Sequence, residues 1–431
     1  MGGDGDELDT ENLRFEIDSS SKKKYKSVLA DGWAVYAQRS FSAIFLTSKL
    51  NILLPCIPMA MISKNTLSDN GGAGIGGDGW TFTFSLLGIA PLAERLGFVT
   101  EELAEYTNQT LGGLLNASFG NLTEMIVSMF ALRNNMLRVV KLSLLGSILS
   151  NTLLVLGCAF FFGGMKYKEQ TFNADGANCN TGLLCLAVMG MTVPATLHAT
   201  HTEMSGTGSE VALSRICSVF LLITYLAYLY FQLITHRELF EDDDDDDDDS
   251  NEGDEEDEEE KMIGEGLGFW GCVGWLGVLT IFISMLSDYL VDAIEGAAAS
   301  WDMSVAFISV IVIPIVGNAA EHASAVIFAM KNKMDISIGV AIGSSTQIAL
   351  LVFPFMVMVG YVCGKDMDLN LKVFESATLF MSVLTVAFMV ADGQSTWLKG
   401  LTLILAYLVL SCSFWFHRDD DLKAQWPGAH A

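Results

Sequence analysis

The sequence predicts an all-α polytopic membrane protein of about 11 transmembrane helices, one extra N-terminal helix followed by two inverted five-helix repeats. Three observations carry that expectation. Half of the 431 residues are hydrophobic (51%, mean hydropathy +0.41). They gather in stretches that suit a hydrocarbon core of about 30 Å, which takes about 20 apolar residues of helix to cross. The net charge of −27 is concentrated in one insert, because Glu238–Glu260 holds 18 acidic residues and no Lys or Arg. On either side of that insert two segments read alike, "FGNLTEMIVSMFALRNNM" from Phe119 and "VGNAAEHASAVIFAMKNKM" from Val316.

Residues 1–40 form a polar cytosolic tail with Lys22, Lys23, Lys24 and Lys26, without the short apolar stretch and cleavage site of a removed leader. The extra first helix is expected at 41–62. The first repeat, 79–235, contains spans near 79–97, 108–132, 137–163, 181–198 and 211–235. The acidic linker follows at 236–262, a composition that cannot bury enough apolar surface to fold alone. The second repeat, 267–417, contains spans near 267–290, 304–330, 335–363, 372–391 and 396–417, and 418–431 is a tail. With the N-terminus in the cytosol, 14 Lys/Arg fall on the cytosolic side and nine opposite, the bias of the positive-inside rule, and the linker is cytosolic too. Five helices per repeat is an odd number, so the second repeat inserts upside down, and such repeats place a substrate site near the midplane at their interface.

The eight cysteines are scattered through apolar spans without a C-x-x-C pair and read as small core residues. The sequence shows no phosphate-binding loop, nucleotide fingerprint or catalytic nucleophile set. That argues against ATP hydrolysis, enzymatic chemistry, a bound cofactor and a nucleic-acid partner.

The chemistry concentrates in the repeated segments. Glu124 and Glu321 stand in apolar surroundings, where an ionised side chain costs several kcal/mol and usually faces a functional cavity. Asn121 and Asn318 precede them by one helical turn and share their face. Gly120 and Gly317, with Gly146 and Gly343 in the matching "GSILSN" and "GSSTQI" motifs, permit helix breaks or close backbone approach. Ser147, Ser150 and Asn151 from one half, and Ser344 and Gln347 from the other, supply further oxygens. An all-oxygen cage with two carboxylates suits a hard divalent cation such as Ca²⁺, and ligand type alone does not separate Ca²⁺ from Mn²⁺. Emptied of its cation the pair would repel, so protons would take the cation's place.

These motifs, with "PIVGNAAEH", "GLLNASFGNLTEMI", "LHATHTE" and an acidic insert between the halves, resemble the cation/proton exchanger family (CAX), the vacuolar Ca²⁺/H⁺ antiporters, over about residues 75–417. The resemblance implies eleven helices and extrusion of cytosolic Ca²⁺ into an acidic organelle in exchange for lumenal protons. It implies cation-binding carboxylates at Glu124 and Glu321, with Asn121, Asn318 and Gln347 on family positions, and a functional histidine at His322. The short N-terminus shows no evident autoinhibitory segment, and the unbroken Asp242–Asp249 run departs from the family pattern.

Alternatives stand beside this reading: a Na⁺-coupled exchanger, an exchanger of Mn²⁺ or another divalent ion, and a Ca²⁺ channel. His198 and His201, with Glu203 nearby, admit a zinc-enzyme reading or a helix-end one. Asp288, Asp292 and Glu295 form an acidic stripe, either solvated or a cation vestibule. The linker either solvates or gathers Ca²⁺. Ca²⁺, protons and the bilayer are the expected partners, and the oligomeric state is left open.

Overall fold

The computed structural model describes residues 40–45, 48–66, 77–107, 109–202, 209–236 and 267–417. The N-terminal tail before residue 40, nearly all of the acidic linker, the C-terminal tail 418–431 and Glu203 lie outside the described residues.

After a short helical piece at 40–45 and a 3₁₀ turn at Lys49–Leu53, the chain builds α1 (Cys56–Thr66), α2 (Asp78–Glu105), α3 (Gln109–Phe119), α4 (Leu122–Arg133), α5 (Leu137–Lys166), α6 (Ala174–Thr200) and α7 (Glu210–Thr235). The second half is α8 (Gly268–Trp301), α9 (Val305–Gly317), α10 (Ala319–Met330), α11 (Met334–Val362), α12 (Lys372–Val390) and α13 (Trp397–Phe416). Strands β1 (Gln170–Thr171) and β2 (Gln394–Ser395) form one short antiparallel pair, with Gln170 opposite Ser395.

Among the described residues eight helices are long and apolar enough to cross a membrane, and α9 with α10 makes a ninth span bent by 53°. Three expected spans are not continuous helices, and the bent 304–330 span, broken at Gly317–Asn318, is one of them. The 41–62 span falls into pieces because Pro55 has no amide to extend the turn at Lys49–Leu53. The 108–132 span breaks at Gly120–Asn121 into helices of 11 and 12 residues.

Local sequence explains the other ends. Asn173 caps α6 by accepting from the amides of Asp175 and Gly176, and Ser304 caps α9 by accepting from Phe307. Asn135 and Asn332 adopt φ of 63° between α4 and α5 and between α10 and α11, a left-handed conformation that asparagine tolerates well.

Burial sorts the helices into layers. The apolar windows of α5, α2 and α11 are 83%, 67% and 67% buried, whereas those of α7 and α13 are 28% and 22% buried, so the first three form the centre and the others face outward. Helix α13 crosses α5 closely, since a Cβ on Gly400 would lie 2.2 Å from the Phe161 amide nitrogen. This is the small-residue packing that membrane helices use in place of a hydrophobic drive. The start of α5 is held by charge: buried Arg138 pairs with fully buried Glu375 at the start of α12, and Lys141 Nζ lies 2.5 Å from Asp368 Oδ1.

Replacing one partner of a buried pair strands the other. Arg138→Met is expected to cost about 3–5 kcal/mol. Adding Glu375→Leu should restore much of the loss, as read by thermal unfolding of the purified protein in detergent.

Candidate functional site

Both repeated segments break their helices at the same point of the motif. Asn121 has φ −110°, ψ 26° and Asn318 has φ −95°, ψ 16°, neither helical, and each begins a 12-residue half-helix. Glycine followed by asparagine favours this break, the first by entropy and the second by hydrogen bonding outside the helical pattern. Glu124 and Glu321 therefore sit in the first turns of α4 and α10, where unpaired amides give a helix its positive end.

The two asparagines do not cap their own helices; each reaches into the other half. Asn121 Nδ2 donates to Gln347 Oε1 at 2.8 Å, and Asn318 Nδ2 donates to Asn151 Oδ1 at 3.0 Å. Asn151 in turn donates to Glu321 Oε2 at 2.7 Å and to Ser344 Oγ at 3.1 Å. Ser344 Oγ stands 3.1 Å from Glu321 Oε1 and 3.0 Å from Asn121 Oδ1, with one proton to give to either. Glu321, Asn121, Asn318, Asn151, Ser344 and Gln347 thus form one network across the halves. The buried Asn318 Oδ1 has no protein partner, and Glu124 makes no hydrogen bond to another side chain among the described residues.

Helix α5 presents Asn151 from a π-helical stretch, Ser150–Val155, and helix α11 presents Ser344 and Gln347 from a single α-helical turn flanked by the π-helical stretches Gly339–Gly343 and Ile348–Val352. Such stretches widen the turn and recur at functional sites. Ser150 Oγ lies 3.0 Å from His322 Nε2, so Ser150 partners the histidine rather than the carboxylate network where sequence reasoning put it.

Glu124 and Glu321 line one cavity of about 550 Å³, within electrostatic range of each other. Its outer wall is the later part of α2, Glu94 to Glu101, with Gln232 and Leu233 at the end of α7. On the far side of Glu124 a pocket of only about 30 Å³ lies between Leu86, Ile89, Val127, Leu144, Leu290 and Ile313. Ser147 lines this small pocket rather than the large cavity.

The four glycines separate into different roles. A Cβ on Gly146 would lie 2.2 Å from Val310 O, and one on Gly120 would lie 3.0 Å from Asn116 O. A Cβ on Gly317 or Gly343 would meet nothing within 4 Å, so close approach is not their role. Asp288, Asp292 and Glu295 do not line the cavity. The end of α8 packs on the start of α2, where Gly79 faces Trp301 and Gly296 faces Asp78, while the cavity opens along the later part of α2. Asp292 there accepts from Lys64 at 2.9 Å and from Asn134 at 3.0 Å, so the acidic stripe lies away from this cavity.

His198 Nδ1 lies 3.2 Å from Glu210 Oε2, and His201 is the left-handed residue that ends α6. No group of three or more His, Cys, Asp or Glu among the described residues is placed to hold a metal, and Glu203 of the zinc reading lies outside them. Sequence reasoning missed Glu94, Glu101, Asn116 and Gln232 on the cavity wall. Asn116, one turn before Gly120, was the one of these with a positional signal.

The sodium/calcium exchanger protein family model matches residues 78–234 and 272–416. The chain is similar to vacuolar cation/proton exchanger 2 of Oryza sativa subsp. japonica, 55% identical over 387 residues, covering 89% of this chain and 85% of the relative. It is also similar to vacuolar cation/proton exchanger 5 of Arabidopsis thaliana, 51% identical over 389 residues, with the same coverage of 89% and 85%. The solved structure of native YfkE superposes with a TM-score of 0.69 at 33% identity, covering 85% of this chain and 100% of that one. A solved H⁺/Ca²⁺ exchanger CAX, at 14% identity and a TM-score of 0.58 over 85% of this chain and 92% of that one, shares the fold.

Two variants probe the geometry. Gly146→Ala is expected to lower stability by about 1–3 kcal/mol through overpacking, with Gly343→Ala near neutral, both measured by thermal unfolding. Asn151→Ala removes two donors and one acceptor from the network. It should weaken the stabilisation of the purified protein by Ca²⁺, with an apparent affinity loss of about tenfold.

Proposed function

The chain belongs to the sodium/calcium exchanger protein family and, within it, to the vacuolar cation/proton exchangers, and from that premise we propose that it moves cytosolic Ca²⁺ into an acidic, vacuole-type lumen in exchange for protons. The observation that carries this reading is the pair of half-helix carboxylates, Glu124 and Glu321, facing one cavity beside amide and hydroxyl oxygens. Two carboxylates balance a divalent charge, and the flexible oxygen coordination of Ca²⁺ suits donors on several helices. A vacuolar cation/proton exchanger by name and the Ca²⁺/H⁺ antiporter protein YfkE, at 55% and 32% identity, support the choice of ions.

The same groups serve both ions in turn. Ca²⁺ enters the cavity from the side where α7 ends and the acidic segment departs, the cytosolic side by the positive-inside count. It is held by Glu124 and Glu321, with the side-chain oxygens of Asn121, Asn318, Asn151 and Gln347 around it. In this reading the lumenal route is the narrow one, with a pocket of about 30 Å³ beside Glu124 lined by Leu86, Leu144, Leu290, Ser143 and Ser147. Rearrangement of the two halves opens that route. Lumenal protons then neutralise the carboxylates and release the ion, with His322, held by Ser150, as a further proton-handling group. The proton gradient supplies the driving force.

The test is Ca²⁺ uptake into sealed, inside-acid vesicles carrying the purified protein. Wild type should accumulate Ca²⁺ against its gradient and stop when a protonophore is added, and Glu124→Gln and Glu321→Gln should each abolish accumulation. Equilibration without accumulation would indicate a channel, and accumulation in both variants would remove the carboxylate site.

A further inference from the structure

The two half-helices that carry the glutamates are tied to the opposite half at both of their ends. At the site, α10 meets α5 through the bond from Asn151 to Glu321, and α4 meets α11 through Asn121, Gln347 and Ser344. The far ends repeat that pairing. Lys166, the last residue of α5, donates from Nζ to Met330 O at the end of α10, 2.8 Å away. Lys365, three residues past the end of α11, donates from Nζ to Arg133 O at the end of α4, 2.9 Å away. Met330 stands nine residues after Glu321 and Arg133 nine after Glu124, so both lysines reach the same place in the repeated segment.

Two residues further on, Asn332 and Asn135 turn the chain with the same φ of 63°. Gln170, buried and paired through β1 with Ser395, donates from Nε2 to Ala329 O at 2.8 Å and to Asn332 Oδ1 at 2.9 Å. At the other corner Lys365 Nζ lies 3.5 Å from Asn135 Oδ1. Lys166, Gln170 and Lys365 do not line the cation cavity. The last carbonyls of a helix have no partner within it and form its negative end, which suits a lysine ammonium. That accounts for a lysine at each corner but not for its origin in the opposite half. A helix of 12 residues is a rod of about 18 Å, and α4 and α10 each begin at a break, so no continuing helix fixes them along their axes. Held at its far end against α5 or α11, the rod sets how its first turn, with the glutamate, meets Asn151 or Gln347.

We propose that Lys166 with Gln170, and Lys365, are positioning residues of the exchanger: by holding the ends of α10 and α4 to the central helices of the opposite half, they fix the register of Glu321 and Glu124 and so set the affinity for the cation. The proposal rests on the Ca²⁺ exchange reading above. It requires the lysines to act through a hydrogen bond to a helix end rather than through their charge, and the two modes have opposite signs. Losing the register weakens cation binding, whereas losing a positive surface charge strengthens the attraction of a cation.

The experiment measures initial Ca²⁺ uptake rates in the same inside-acid vesicles over a range of Ca²⁺ concentrations, beside thermal unfolding of each purified variant. Lys166→Met and Lys365→Met should each raise the KM for Ca²⁺ by about threefold, the scale of one hydrogen bond. Together they should raise it by about tenfold, since they act on different half-helices. Lys166→Arg and Lys365→Arg keep a donor and should stay within about twofold of wild type. Gln170→Met loses two bonds and should raise KM by about tenfold. Lys166 is exposed and Lys365 half-buried, so their variants decide the matter should Gln170→Met fold poorly.

A fall in KM in the methionine variants, larger at low salt, would overturn the proposal in favour of surface charge. An unmoved KM, with or without a lower unfolding temperature, would overturn it in favour of a structural contact that the site does not feel. Glu124→Gln and Glu321→Gln in parallel separate the two readings. Persisting uptake there defeats the paired-glutamate site and the positioning role with it, whereas loss of uptake there with KM unmoved in the lysine variants defeats only the positioning role.

Discussion

The constraint on which the structure depends is the cost of placing two carboxylates within a bilayer. Each must find water, a donor or a cation, and lipid offers none of these. The chain meets the cost by breaking two helices. At Gly120–Asn121 and Gly317–Asn318 the backbone leaves the helical pattern and restarts, so that Glu124 and Glu321 stand at the positive ends of half-helices and face an open cavity. The asparagines, spared from capping, reach across to the opposite half and join the two motifs into one network.

Two central helices hold that network in place. Helices α5 and α11 are among the most buried in the chain, and both depart from α-helical geometry into π stretches near the site. A continuous α-helix spaces its faces rigidly; a π stretch shifts the register by a fraction of a turn. Arg138 and Lys141 anchor the start of α5 to Glu375 and Asp368, away from the cavity. The site therefore has irregular helix geometry near its polar groups and charge-paired anchoring at the ends of its helices.

The cavity is asymmetric. About 550 Å³ opens along the later part of α2 and the end of α7, and about 30 Å³ lies beyond Glu124 among apolar side chains. Gln232 and Leu233, at the end of α7, line the open side.

Much of this was legible in the sequence because the bilayer imposes a simple rule. Apolar length defined most of the spans, and an ionisable residue inside a span singled out Glu124 and Glu321, with the repeat of Gly-Asn-x-x-Glu tying the two together. Composition could not register that Pro55, Gly120–Asn121 and Gly317–Asn318 interrupt apolar runs, so three spans expected as single helices are broken. Nor could it assign partners. Asn151 belongs to Glu321 while its neighbour Ser150 belongs to His322, because successive residues on a helix point in different directions and only the packing of α10 beside α5 decides what each one meets. The place of the acidic stripe of α8 was hidden for a similar reason: the crossing of α8 on α2 puts Asp292 beside Lys64, away from the cavity. The sequence by itself determined which groups are too costly to bury without a purpose, since that cost is a property of the residue and the solvent. The tertiary structure alone decided which oxygens converge and which way the cavity opens, because those depend on distances between segments far apart in the chain.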